Sequence, residues 1–323
     1  MHDDFWSNKS VFITGATGFL GSWLTRSLVD SGARVTALVR DTYSDSLLAY
    51  MKYDKKIAVV QGQLEDYESV VAALGKSSAD TIFHLGAQPI ITSAKESPRA
   101  TFETNIRGTW NVLDAARVVG NIRRVGVASS VNAYGSQKVP YQESYELKGS
   151  YPYDVSKSAA DMIARSYYVT YGLPVAVTRC TSLYGGGDFN FDRVVPGTIR
   201  RILHGERPTI KNNGKHLRDF VYIEDAINAY LALAKKLDDS NVRGEAFNIG
   251  TGKPLSVLEI VQMILALMKS DLQPLFLKGP VQEIPDQCVT TFKAKEILGW
   301  KTSHSTEDGL KKTIEWYNLY CNK

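Results

Sequence analysis

Through the first 180 residues, short apolar runs alternate with longer amphipathic stretches. The runs at 11–14 (VFIT), 35–39 (VTALV), 57–61, 81–85, 125–129 and 175–179 are short and rich in β-branched residues, so they read as strands. Patterns of helical period occupy 20–31, 67–74, 99–119 and 156–171. Strand cores without polar alternation suit burial on both faces, and the alternation of strand with helix predicts a parallel sheet covered on both sides. After Cys180 the rhythm breaks at Gly185, Gly186 and Gly187, which punctuate the chain flexibly. Helices at 226–236, 257–269 and 307–320 follow in more irregular surroundings. The expected organisation is an α/β fold. A sheet domain spans 1–180, rejoined by a segment near 221–250, and a smaller lobe is built from 181–220 and 251–323.

Composition narrows the class. A chain of 323 residues has room for two lobes, and 44% hydrophobic with 22% charged residues fits a globular protein. The net charge of +4 is small and the lysines and arginines are scattered, which excludes a nucleic-acid footprint. Three distant cysteines make neither a disulfide framework nor a zinc site. The opening MHDDFWSNKS lacks the apolar core of a signal peptide, and no run approaches the ~20 apolar residues of a membrane span. A reducing cytoplasm is the expected compartment.

Three groups of residues carry candidate chemistry. Gly15, Gly18 and Gly21 form G-x-x-G-x-x-G between the first strand and the first helix. Small residues there let the backbone approach a pyrophosphate, and the helix N-terminus offers free N–H groups and the positive end of its dipole. Tyr153 and Lys157 stand at i, i+4, on one helix face. An ammonium beside a phenol stabilises the phenolate, so Lys157 is expected to pull the Tyr153 pKa down from ~10 toward neutrality. Ser129 and Ser130 close the fifth strand, where ligands of a doubly wound sheet sit, and a hydroxyl there can bond the same substrate oxygen. Each feature has a plainer reading too: a glycine-rich turn, a solvated helix turn, a strand-end cap.

Together these pieces resemble the extended short-chain dehydrogenase/reductase family, the NAD-dependent epimerases and dehydratases. The resemblance extends over HLGAQ (His84 to Gln88), TNIRGTWNVLDAAR (Thr104 to Arg117), RDFVYIEDA (Arg218 to Ala226) and FNIGTG (Phe247 to Gly252). FLGSWL, HLGAQP and TSLYGGGDFNFDRVVP look most like the nucleotide-sugar 4,6-dehydratases of the CDP-glucose type. The resemblance implies a Rossmann-type sheet and a catalytic set of Ser130, Tyr153 and Lys157. It implies a dinucleotide against Gly15, Thr17, Gly18, Phe19, Leu20, Leu64, Leu85 and Ala87. A nucleoside-diphosphate sugar is then expected near Gln88, Ser130, Asn132, Ser182 and Val195, with Arg218 on its phosphates. Arg218 reads alternatively as a salt bridge to Asp219 or Glu224. His84 reads as a packed residue near the cofactor, Asn105 as an internal polar group holding backbone geometry, and Asp225 as the cap of a helix starting at Ala226. No metal is expected. The helices at 99–119 and 156–171 carry apolar residues beyond what one sheet face needs, and relatives pair such helices, so a homodimer is expected.

The chain departs from the family pattern at three places. The second strand ends Leu38-Val39-Arg40-Asp41, with Val39 where an acid for the ribose 2′-OH is usual. Arg40 can meet a 2′-phosphate, so NADP is favoured over NAD, with Asp41 as the rival reading. Gln63 replaces the usual aspartate after the third strand and is expected at the adenine. Dehydratases carry two titratable residues directly after the catalytic Ser/Thr, whereas this chain has Val131 and Asn132. Neither transfers a proton near neutrality, so the expected reaction is C4 oxidation followed by epimerisation or another change that keeps the C6 oxygen. The alternatives are a 4,6-dehydratase in which Glu143, Tyr134 or Cys180 supplies the missing group, a simple net oxidoreductase, and a non-catalytic dinucleotide sensor.

Overall fold

The computed structural model describes residues 4–41, 43–211, 213–277 and 284–321. Its centre is one sheet of seven strands: β1 (Ser10–Thr14), β2 (Arg34–Val39), β3 (Ala58–Gln61), β4 (Thr81–His84), β5 (Arg124–Ala128), β6 (Val175–Cys180) and β7 (Ala246–Ile249). Every pairing is parallel, in the order β7-β6-β5-β4-β1-β2-β3. Successive side chains face opposite sides. Val11 and Ile13 of β1 enter one apolar cluster and Phe12 between them enters the other, and β6 divides Ala176 from Val175 and Val177 in the same way. This is why the strand cores read as unbroken apolar runs.

Helices α1 (Phe19–Asp30), α2 (Tyr67–Ser77), α3 (Gly108–Val119), α4 (Pro152–Tyr171), α5 (Val194–Leu203), α6 (Ile223–Lys236), α7 (Val257–Leu267) and α8 (Thr306–Cys321) surround the sheet. Buried residues of α1 and α6 belong to the first cluster, and those of α2, α3 and α4 to the second. The first cluster continues into α7 and α8 through Ile260, Val261, Leu310 and Tyr317, so the C-terminal lobe shares the core of the sheet. That lobe adds three small strand pairs: Ser182–Tyr184 with Phe220–Tyr222, Leu217–Arg218 with Leu255–Ser256, and Thr209–Lys211 with Leu275–Leu277. The strand order reverses at β1, between β2 and β4, which opens a crevice at the carboxyl ends of these strands.

Three elements differ from expectation. Helix α4 begins at Pro152, not 156, because proline suits the first helical position and the Asp154 carboxylate accepts from Tyr151 N at 3.4 Å. Tyr153 therefore sits in the first turn. The stretch 99–119 is divided: Pro98–Phe102 is α-helical, Glu103–Arg107 forms a π turn, and α3 follows. Asn105 in that π turn bonds Gln88 N (2.6 Å), Gln88 O (3.1 Å) and Ser156 Oγ (2.9 Å). Asp225 does not cap α6, which starts at Ile223 directly from the preceding strand. Its buried carboxylate accepts from Ser303 N (3.0 Å), Ser303 Oγ (2.5 Å) and His304 N (3.2 Å), and so ties down the chain leading into α8.

Candidate active site

The glycine loop is dictated by close backbone approach. Gly15 has φ +75°, and a Cβ there would lie 2.7 Å from Gly86 N. A Cβ on Gly21 would lie 2.0 Å from Gly15 O. Gly18 is different: a Cβ there would make only an ordinary contact, at 3.5 Å. Gly18 is also the N-cap of α1 and brings no side-chain cap, so the helix N-terminus faces the crevice uncovered. A dinucleotide pyrophosphate fits this arrangement.

His84 fixes the end of β4 behind the loop. Thr109 Oγ1 donates to Asn105 O at 2.6 Å, so it must accept from His84 Nε2–H at 3.0 Å. His84 Nδ1 then accepts from Thr14 Oγ1 at 2.8 Å. Burial first, and the Lys157 charge second, push its pKa down to about 3. The ring is neutral and packed, as the sequence reading holds, and is no proton-transfer group.

A cleft of about 1410 Å³ lies over the carboxyl ends of the strands and under α5 and the small lobe strands. Pockets for one drug-sized ligand run ~300–1,000 Å³, so this volume accommodates a dinucleotide with a second ligand beside it. Of the residues expected at cofactor and substrate, all but Gln63 and Gln88 line it. Gln63 is exposed, while Leu64 and Glu65 beside it reach the cleft. Gln88 Oε1 accepts from Ile90 N at 2.6 Å, so its side chain shapes the turn after β4. Val39 is buried, and Arg40 Nε meets Asp41 Oδ2 at 2.6 Å with both side chains exposed at the cleft rim. Arg218 is partly buried and donates to Leu217 O (2.8 Å) and Pro285 O (2.6 Å). Asp219 instead turns inward to Thr251 N (2.7 Å) and Gly252 N (3.0 Å).

Ser130, Tyr153 and Lys157 converge on the cleft floor. Lys157 Nζ donates to Ala128 O at 2.8 Å, and Ser129 Oγ donates to Lys157 O at 3.2 Å. Burial lowers the Lys157 pKa to about 8. Tyr153 differs from expectation. Burial raises its pKa, and the opposing influences are the Ser130 hydrogen bond and the Arg193 charge, with Lys157 turned to the β5 carbonyl. Desolvation outweighs these two opposing influences.

Several cleft residues had no clear sequence signal. Asp154, 1% exposed, accepts from Asn132 Nδ2 at 2.9 Å, and Gln287 Nε2 donates to Asn132 Oδ1 at 3.0 Å. Lys95 stands 4.9 Å above the Tyr151 ring, and Arg193 pairs with Asp188 at 2.9 Å. The i+1 position beside Tyr153 was the one available hint for Asp154. Among the suggested stand-ins for a dehydration pair, only Cys180 lines the cleft, and burial raises its thiol to about 11. Tyr134 is locked between Arg179 and Asn248, and Glu143 accepts from Asn248 N at 2.9 Å. Among the described residues no cluster of His, Cys, Asp and Glu could hold a metal, and no helix is long and apolar enough to cross a membrane.

Comparison with known proteins agrees with this geometry. The model of the NAD dependent epimerase/dehydratase family matches residues 11–250, and the chain belongs to that family. It is 26% identical to CDP-glucose 4,6-dehydratase of Salmonella typhimurium over 98% of this chain and 92% of that one. UDP-glucose 4-epimerase of Thermotoga maritima, solved with UDP-glucose, superposes with a TM-score of 0.89 at 26% identity, covering 96% of this chain and 99% of its own. MoeE5, solved with UDP-glucose and NAD, superposes at 0.85 with 27% identity, covering 97% and 99%. The chain is thus an NAD-dependent nucleotide-sugar-modifying enzyme by family, and its relatives divide between epimerases and 4,6-dehydratases.

Lys157 offers a test of the electrostatics. Its folded pKa of about 8 lies below the ordinary 10.5, so below pH 8 the fold must carry a buried charge. That cost is complete below pH 8 and fades as pH rises toward 10.5. Lys157→Met should therefore melt higher than the parent at pH 7, with the gap narrowing above pH 8, while turnover is lost. Thermal melts across this range check it; a variant that melts lower at pH 7 contradicts it.

Proposed function

We propose that this member of the family oxidises C4 of a nucleoside-diphosphate sugar transiently and returns the hydride without expelling the C6 oxygen, as an epimerase does. Bound along the glycine loop, the nicotinamide dinucleotide supplies the hydride acceptor. In its phenolate form, which the Ser130 hydrogen bond and the Arg193 charge favour against burial, Tyr153 takes the proton of the C4 hydroxyl as hydride leaves that carbon, and later gives it back. Ser130 hydrogen-bonds the same oxygen. Lys157 completes the set from one turn along the same helix, its Nζ donating to Ala128 O beside the cleft. Lys95, Arg193, Lys211 and Arg218 line the cleft and offer cationic donors of the kind a diphosphate takes.

The observation that carries this reading is the turn after Ser130. Val131 is 2% exposed and packs with Tyr134, Tyr141 and Val289, while Asn132 is bonded on both sides of its amide. Elimination across C5 and C6 needs a base and an acid, and neither residue titrates. One observation favours a 4,6-dehydratase: the Asp154 carboxyl lines the cleft and burial raises its pKa. Against it, that carboxyl already accepts from Asn132 and from the backbone of Ser150 and Tyr151. A dinucleotide sensor without turnover would not need a buried lysine beside a tyrosine.

Incubation with CDP-, GDP-, UDP- and dTDP-sugars, followed by chromatographic separation of isomers and mass spectrometry, should give a new species of unchanged mass that Tyr153→Phe does not form. Loss of one water would establish the dehydratase, and unimpaired turnover by Tyr153→Phe would remove the proposed base.

Within this reading the cofactor is NADP in preference to NAD. The support is buried Val39 at the end of β2 and the exposed Arg40 guanidinium beside it. Calorimetric titration should show tighter NADP binding, reduced about tenfold or more in Arg40→Ala with NAD little affected. Tighter NAD binding by the parent overturns the preference.

The assembly is a homodimer through α3 and α4. Val118 is 54% exposed, Met162 62% and Val169 82%, and Trp110 and Tyr171 extend the same apolar surface. Sedimentation at micromolar concentration should give the dimer mass, and Met162→Glu with Val169→Glu the monomer. A monomeric parent contradicts this arrangement.

A further inference from the structure

We propose that Asn132 is a positioning residue, held by Asp154 on one side and Gln287 on the other, that aims the Ser130 hydroxyl at the reacting oxygen. The inference rests on the assignment of Ser130 and Tyr153 given above.

The geometry begins at Ser130. The Asn132 backbone N–H donates to Ser130 Oγ at 3.2 Å. The Asn132 Oδ1 atom, at 3.5 Å, is too far to compete strongly for the serine proton. With a lone pair of Oγ engaged by the Asn132 N–H, the Ser130 hydroxyl is held beside Tyr153, within reach of an oxygen reacting there. The aim of that hydroxyl therefore depends on where Asn132 N–H stands. Val131–Tyr134 is a single 3₁₀ turn with little rigidity of its own.

The side chain of Asn132 supplies the missing rigidity. A carboxylate only accepts, so the amide must present Nδ2 to Asp154 Oδ1, which lies 2.9 Å away. Oδ1 then faces the other way and takes a hydrogen bond from Gln287 Nε2 at 3.0 Å. Both holders are fixed. Asp154 is 1% exposed in the first turn of α4 and adjacent to Tyr153. Gln287 is 6% exposed, donates through its backbone to Leu217 O and accepts from Asp219 N, each at 3.0 Å. It also bridges Arg218, the expected phosphate ligand. The clamp thus joins the serine turn, the tyrosine helix and the strand carrying Arg218.

The test is steady-state kinetics of Gln287→Glu, Gln287→Ala and Asp154→Asn over a range of pH, on a nucleotide sugar that the parent converts. The titratable groups around position 287 are Asp286 and Cys288 along the chain, Arg218 and the buried Asp219 across the bridge, and Asp154 and Tyr153 beyond Asn132. In Gln287→Glu the new carboxylate faces Asn132 Oδ1, acceptor against acceptor. Its kcat should fall about tenfold or more with KM changed less than about twofold. The ratio of its kcat to the parent's should climb again as pH falls and the introduced carboxyl gains a proton to donate. Gln287→Ala should lose kcat similarly with no recovery in acid. Asp154→Asn should also lose kcat, because one of the carboxylate's oxygens becomes an NH₂ group that faces donors. Parent-like kcat in all three, or a loss confined to KM, overturns the clamp. If Gln287→Glu does not fold, the kcat-against-KM division in the other two decides. If the parent converts no nucleotide sugar, the proposed function fails by itself. The clamp is then judged by the crystal structure of Gln287→Ala, in which Ser130 Oγ should leave its contact with Asn132 N; an unmoved Ser130 overturns it.

Discussion

One buried guanidinium sets the distance between the two halves of the candidate active site. Arg179, at the end of β6, is 1% exposed. Its Nε and Nη2 grip the Asp161 carboxylate at 2.8 and 3.0 Å. Its Nη1 donates to the Tyr134 hydroxyl (2.8 Å) and to Glu143 O (3.1 Å). Asp161 lies one turn beyond Lys157 on α4, and Tyr134 ends the turn that begins at Ser130. The helix bearing Tyr153 and Lys157 is thereby tied to the turn bearing Ser130 through a single rigid fork. Taking both charges out of water is costly, and the pair holds because the remaining donors are matched. Removing one partner of such a pair typically costs about 3–5 kcal/mol, so the arrangement is intolerant of drift.

That frame lets the cleft hold groups in states water would not favour. Lys157 is buried against a β5 carbonyl with its pKa lowered to about 8, and His84 is kept neutral. Tyr153 is desolvated, so its proton is held until a neighbour stabilises the phenolate. The serine hydrogen bond and the Arg193 charge act in that direction. The positions after Ser130 add no proton-transfer group to the floor, being taken by a packed valine and a doubly bonded amide. In the proposed function, the chemistry is restricted by what those two residues lack.

Much of this was legible in the chain itself. Short β-branched apolar runs and period-3.6 patterns located the sheet strands and the main helices, and Gly15, Gly18 and Gly21 placed the loop, because these are local properties of backbone and spacing. The Ser130, Tyr153 and Lys157 set also reaches one cleft. Longer-range relations were not legible. Gln287 meets Asn132 across 155 positions of sequence, and no periodicity encodes that contact. Asp225 looked like a helix cap, but its carboxylate is used by Ser303 and His304, which fold back from the C-terminal segment. The Tyr153 pKa was expected to fall under the influence of Lys157. Burial depth, which spacing does not report, outweighs the nearby charges. Gln63 occupies the right loop but is exposed, and Leu64 and Glu65 face the cleft in its place.

The central claim is that hydride leaves C4 and comes back to C4. It is tested by converting a nucleotide sugar deuterated at C4 and locating the label in the product by nuclear magnetic resonance. Deuterium retained at C4, with no reduced cofactor accumulating, is the predicted result. Deuterium at C6 of a product lacking one water, or on released reduced cofactor, would contradict it.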